Sequence, residues 1–188
     1  MGAIMDTYFL DRNRAVLVVI DVQEKLCRAM DPEVLAILTA NIFILLQTAK
    51  EMGIPVIATE QYVKGLGETV DLLKAELTAP PLEKMSFSCS GDPKFVEALK
   101  ATGRSQVIVT GMESHVCVLQ TVLELLDDGL NVHLVRDAVM SRHQMNWQTG
   151  LDVMGAAGAV ITSTEAVLFQ LLKVAGTGEF KKLSKLVR

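Results

Sequence analysis

Three residues of the 188-residue sequence stand where a side chain can be held rigidly at the rim of a sheet and still react. Asp21 directly follows the apolar run Ala15 to Ile20 (AVLVVI), so a buried strand would fix its carboxylate as a general base. A phosphoryl-transfer aspartate of the Asp-x-Asp type is disfavoured, because the second position is Gln23. Lys84 comes just after Glu83 on a short third strand and precedes the uncharged stretch Met85 to Gly91. Cys117 lies in Gly111-Met112-Glu113-Ser114-His115-Val116-Cys117-Val118. With Ser114 as the cap, Cys117 falls in a first helical turn, where free backbone N–H groups favour a thiolate and can face an oxyanion. Each residue alone also has an ordinary reading: a capping acid, a solvated charge, a small buried thiol. Cys27 and Cys89 have no comparable setting and are read as packing residues.

Those positions require a particular scaffold. Apolar, β-branched runs at Ala15–Ile20, Pro55–Thr59, Leu82–Phe87, Gln106–Thr110, Val132–Val135 and Ala159–Thr162 alternate with helical segments. Asp31-Pro32 and Asp92-Pro93 supply a cap and a first-turn proline, with Gly53 and Gly103 as the matching stops. A helix is expected to run through Leu77, another over Val116–Asp128, a third over His143–Met154, and a last one capped by Ser163. Alternation of this kind predicts a three-layer α/β/α sandwich with a six-stranded parallel sheet, order 3-2-1-4-5-6, in a single domain over residues 1–188. That order puts strands one and four side by side, and with them Asp21 and Cys117 at the switch point.

Rival sites are weaker. His115 is two residues from Cys117 and would point away from it on a helix; His133 opens the fifth strand at its wrong end; His143 lies later. Metal-ligand spacing such as HExxH is absent, and Gly65-Leu66-Gly67 lacks the setting of a dinucleotide fingerprint. Neither a metal nor a cofactor is expected.

Composition narrows the partners. Half of the residues are hydrophobic, 21% are charged, the net charge is −4, and mean hydropathy is +0.34. This excludes disorder and gives no basic face for nucleic acid. The apolar stretch Val34 to Leu46 is shorter than a membrane span, and no secretory signal is visible in Met1 to Asn13. Three unpaired-looking cysteines suit a cytoplasmic protein. The apolar surplus predicts a homo-oligomer, a dimer or tetramer, acting on a small molecule.

The ordered set Asp, Lys, Cys, together with Val18-Val19-Ile20-Asp21-Val22-Gln23, Lys84 with Phe87-Ser88, Thr110 to Val118 and Asp137 to Arg142, resembles the isochorismatase-like cysteine hydrolases over nearly the full length. Thr59-Glu60-Gln61-Tyr62 with Lys64-Gly65-Leu66-Gly67 resembles the isochorismatase-domain-containing subgroup. The resemblance implies a catalytic triad of Asp21, Lys84 and Cys117. It also implies a cis peptide at Met112–Glu113, which would aim the N–H groups of Glu113 and Cys117 at an oxyanion. Gln23, Gln61, Tyr62 and Phe87 are candidates for the substrate pocket.

Departures from the family pattern sharpen the expected chemistry. Where nicotinamidases carry an Asp-x-His metal motif, this chain has Glu60-Gln61-Tyr62, which disfavours zinc. Isochorismatase proper cleaves a vinyl ether without a cysteine nucleophile, so Cys117 favours metal-independent hydrolysis of an amide or carbamoyl C–N bond through a thioester. A non-catalytic binding protein on the same fold and an ether hydrolase remain the alternatives.

Overall fold

The computed structural model describes residues 3–187, so Met1, Gly2 and Arg188 of the expected domain lie outside the described residues. In chain order the elements are α1 (Ala3–Tyr8), β1 (Ala15–Ile20), α2 (Glu24–Arg28), α3 (Pro32–Met52), β2 (Val56–Gln61), α4 (Val63–Leu66), α5 (Asp71–Lys74) and β3 (Leu82–Lys84). There follow α6 (Pro93–Thr102), β4 (Gln106–Met112), α7 (Cys117–Asp127), β5 (Asn131–Met140), α8 (Gln144–Ala156), β6 (Val160–Thr162), α9 (Thr164–Leu172) and α10 (Gly178–Leu183).

The six strands form one all-parallel sheet, β3-β2-β1-β4-β5-β6, flanked by helices as the alternation predicts. β1 shows why its sequence is uniformly apolar. Ala15, Leu17 and Val19 enter the core under α3 and α9, while Val16, Val18 and Ile20 enter the core under α6, α7 and α8. With both faces covered, neither set of alternate side chains reaches water.

Caps place the covering helices. The Asp31 carboxylate accepts from Glu33 N and Val34 N at 2.9 and 3.2 Å, and Asp92 caps α6 through Lys94 N at 2.9 Å. α3 extends well past the Val34–Leu46 stretch. By length and composition it could cross a bilayer, with a mean hydropathy of 1.5 over its most apolar 18 residues. Here Leu38, Ile42, Leu45, Leu46, Ala49 and Met52 face the sheet and α9, leaving Val34 and Ile37 exposed.

The structure differs from expectation mainly around loops. β3 stops at Lys84 instead of Phe87, because the chain turns back to bring the Ser86 and Phe87 carbonyls onto the Lys84 ammonium. The helix expected through Leu77 is only the short α5, and the loop before it holds a further short turn, α4. Ser114 does not cap α7: the helix starts at Cys117 itself, and the Ser114 hydroxyl is shared with Ser141 instead.

Candidate active site

The C-terminal ends of β1, β2 and β3 and the start of α7 meet at one point. Asp21 leaves β1 with φ 51, a left-handed turn that Asp tolerates better than most residues, and its carboxylate drops into the interior. Oδ2 accepts from Lys84 Nζ at 2.7 Å and Oδ1 from Thr59 Oγ1 at 2.7 Å. Lys84 spends its other ammonium protons on Phe87 O at 2.9 Å and Ser86 O at 3.1 Å. Both charged side chains are essentially inaccessible, at 1% and 0%. Burial works against the Lys84 charge, but the nearby Asp21 carboxylate overrides it and raises its pKa.

Cys117 is 4% exposed. Its thiol donates to Gln61 Oε1 at 3.8 Å, and the Asp21 carboxylate is near enough to act on it electrostatically. Burial and then the Asp21 charge push its pKa well above the usual thiol range, more than Lys84 pulls it down. That direction runs against the expectation of a thiolate favoured by the helix start and by Lys84. Burial and the Asp21 charge favour the protonated thiol, whose S–H points to Gln61 Oε1.

Close approach of backbone makes this meeting possible. A Cβ on Gly111 (φ +112) would lie 2.0 Å from Ile20 O, and one on Gly150 would lie 2.6 Å from Ser114 O. Glycine at these two positions lets β1 abut β4 and α8 abut the loop before Cys117. The Met112–Glu113 peptide in that loop is cis. Among the described residues, neither Glu113 N–H nor Cys117 N–H donates to another group of the chain. The Glu113 carboxylate instead accepts from Arg142 N at 3.1 Å and Arg142 Nε at 3.0 Å.

The pocket candidates separate into two kinds. Gln61 stands beside the thiol, and Tyr62 and Phe87 are about half exposed at the rim, together with Met85. Gln23 does not line a pocket. It is fully buried, donates to Gln61 O and Gly67 O, and accepts from Gln61 N. Its amide is used up in tying β2 to the 60s loop.

Two residues escaped sequence reasoning. Thr59 orients Asp21, and Cys89, fully buried, lies 3.7 Å from the Thr59 hydroxyl and takes its own backbone N–H to Thr121 Oγ1 at 2.9 Å. Burial raises the Cys89 pKa to about 11. The parallel order alone could have indicated Thr59, since Ile20 pairs with Thr59 in register. His115 joins Ser141 Oγ at 3.0 Å rather than Cys117. No group of three or more His, Cys, Asp or Glu able to hold a metal occurs among the described residues.

Residues 15–166 match the isochorismatase domain model, a span that contains all three strand-end residues. The chain belongs to the isochorismatase domain family. Within that family it is 41% identical over 151 residues to the secreted isochorismatase effector Isc1 of Phytophthora sojae, covering 77% of this chain and 71% of that one. Against the isochorismatase domain-containing protein 1 of Salmo salar it is 39% identical over 147 residues, which is 77% of this chain; the match spans about half of that longer relative, 51%.

Solved structures agree on the fold. The MAR1 ribonuclease of Caenorhabditis elegans superposes with a TM-score of 0.86 at 39% identity, covering 95% of this chain and 92% of that one. YcaC of Escherichia coli, described as an octameric hydrolase of unknown specificity, gives 0.87 at 27% identity over 95% and 90%. YcaC of Pseudomonas aeruginosa, solved with hexane-2,5-diol and covalent acrylamide, gives 0.87 at 26% over 95% and 91%. Membership of the isochorismatase domain family and its hydrolase neighbours make this protein a hydrolase of the isochorismatase-like kind.

Proposed function

We infer that this protein hydrolyses the C–N bond of a small amide or carbamoyl compound through a thioester on Cys117, without a metal. The observation that carries this reading is the Asp21 carboxylate held at 2.7 Å by both Thr59 and Lys84 beside the buried Cys117 thiol. As the sulfur attacks the carbonyl carbon, Asp21 takes the thiol proton. The resulting oxyanion has the N–H groups of Glu113 and Cys117 within the same loop to receive it. Collapse breaks the C–N bond, and Asp21 passes the proton to the leaving amine. Water then adds to the thioester with Asp21 as base, releasing the acid and returning a proton to sulfur. Lys84 keeps Asp21 in place and balances its charge throughout.

The raised thiol pKa suits this sequence of events, because the nucleophile forms only when a substrate carbonyl is there to be attacked. The Pseudomonas aeruginosa relative, which holds a covalent acrylamide, supports a nucleophile on this fold that an amide-bearing compound can reach. The net charge of −4 favours a small substrate over an RNA. Three free thiols suit a reducing cytoplasm, and the octameric Escherichia coli relative supports a homo-oligomer. Screening amides and carbamoyl compounds by intact mass tests the reaction. A substrate should leave a covalent acyl group on Cys117, and Cys117→Ala should lose turnover by at least about a thousandfold. Full turnover in Cys117→Ala would overturn the thioester and favour the ether-hydrolase alternative.

A further inference from the structure

A cleft of about 460 Å³ lies away from Cys117. It lies where the N-terminus of α3 meets the C-terminal end of β5 and the first turn of α8. Val34, Met140 and Trp147 give it apolar walls, and Arg142 and Asp31 stand on it as charged groups. The Ser141 hydroxyl, also on the wall, is already shared with Ser114 at 2.5 Å and His115 at 3.0 Å, so it is part of the scaffold.

The charges are asymmetric in what they have left to offer. Asp31 gives one oxygen to the α3 cap. Arg142 commits its backbone N and Nε to a single oxygen of Glu113, and its side chain is 51% exposed. Among the described residues, its two terminal amino groups meet no acceptor. A guanidinium anchored through Nε presents those groups as a ready fork for a carboxylate. Glu113 already pairs with that cation and Asp31 adds a second negative charge to the cleft wall, so a monoanion suits the site better than a dianion. The apolar walls require that the rest of the ligand be a hydrocarbon body.

We propose that this cleft is a second ligand site, for a small monocarboxylate with an apolar or aromatic body held by Arg142 against Trp147. Arg142 would bridge its occupant and Glu113. The site stands independently of the thioester reading.

The chain has one tryptophan, Trp147, so its intrinsic fluorescence reports the cleft directly. Titration with phenylacetate should give a saturable change. 2-Phenylethanol, which keeps the body and loses the charge, should bind at least about tenfold more weakly, and sulfate likewise. Arg142→Gln should weaken phenylacetate at least about tenfold. Val34→Asp, at an exposed first-turn position where no buried partner is lost, should do the same by adding a second acid to the wall. Cys117→Ala should bind as the parent does. The proposal fails if no saturable response occurs, if 2-phenylethanol or sulfate matches phenylacetate, or if both cleft variants bind unchanged. Loss of the response in Cys117→Ala would also overturn it, by placing the ligand at the thiol.

Discussion

At its C-terminal edge the sheet buries opposite charges and satisfies them; at its N-terminal edge it buries an imidazole and keeps it neutral. Asp21 and Lys84 are as inaccessible as any core leucine, yet every ammonium proton and both carboxylate oxygens have partners. His133, on β5 near the other edge, is fully buried. Burial lowers its pKa to about 4, and the Thr7 backbone offsets only part of that. Near it, Gln106 is buried too, but its amide is spent on Phe9 O and Asp11 N. Reactive edge and structural edge therefore differ in kind. One retains ionised groups that chemistry can use, while the other excludes charge altogether.

The sharpest way to break the contrast is to remove one member of the buried pair. Lys84→Met leaves the Asp21 carboxylate without its cation and should destabilise the protein by about 3–5 kcal/mol. The double variant Asp21→Asn/Lys84→Met should recover most of that loss, since no buried charge remains unpaired. Urea unfolding of the four proteins in the cycle measures the coupling. Additive losses would mean that the pair is not the stabilising unit the geometry describes.

The opposite edge should respond to pH alone. His133 is held neutral in the fold, with a pKa of about 4, whereas the unfolded chain titrates near 6.5. Above about pH 6.5 both states are neutral and the stability is intact. As pH falls from there toward 4, the unfolded state gains a proton that the folded state refuses. About 3 kcal/mol should be lost by pH 4. Replacing the imidazole by a group that does not titrate, as in His133→Leu, should flatten that part of the stability–pH curve. An unchanged slope in the variant would assign the acid sensitivity to other groups.

The two edges were not equally legible from sequence. Strand order, cap positions and the three strand-end residues follow from patterns confined to short windows: AVLVVI before Asp21, Asp-Pro before a helix, glycine after one. What was missed depends on register between segments far apart in the chain. Thr59 is one polar residue in PVIAT until β2 is laid beside β1 and Ile20 falls opposite it. Gln23 resembled a pocket residue because it follows Asp21 by two, yet the return of the 60s loop consumes its amide. Ser114 had the right spacing for a cap and lost that role to Ser141, a partner 27 residues away. His133 was read correctly as standing at the wrong end for catalysis, but its burial depends on α1 and could not be seen locally.

Thr59 supplies the smallest and most specific prediction, because it separates orientation of the carboxylate from its charge. Thr59→Val keeps the shape and the β-branched backbone preference but removes the donor to Asp21 Oδ1. A lost hydrogen bond to a charged group predicts destabilisation of about 1.5–3 kcal/mol, less than the loss of the Lys84 cation. Turnover of a substrate found by the mass screen should fall through kcat more than through KM, since Thr59 touches Asp21 and not the substrate. Thr59→Ser restores the hydroxyl and should restore both quantities in large part. If Thr59→Ser behaves as Thr59→Val does, the methyl group and its packing near Cys89 matter more than the hydrogen bond. The reactive edge would then depend on Lys84 alone to hold its base.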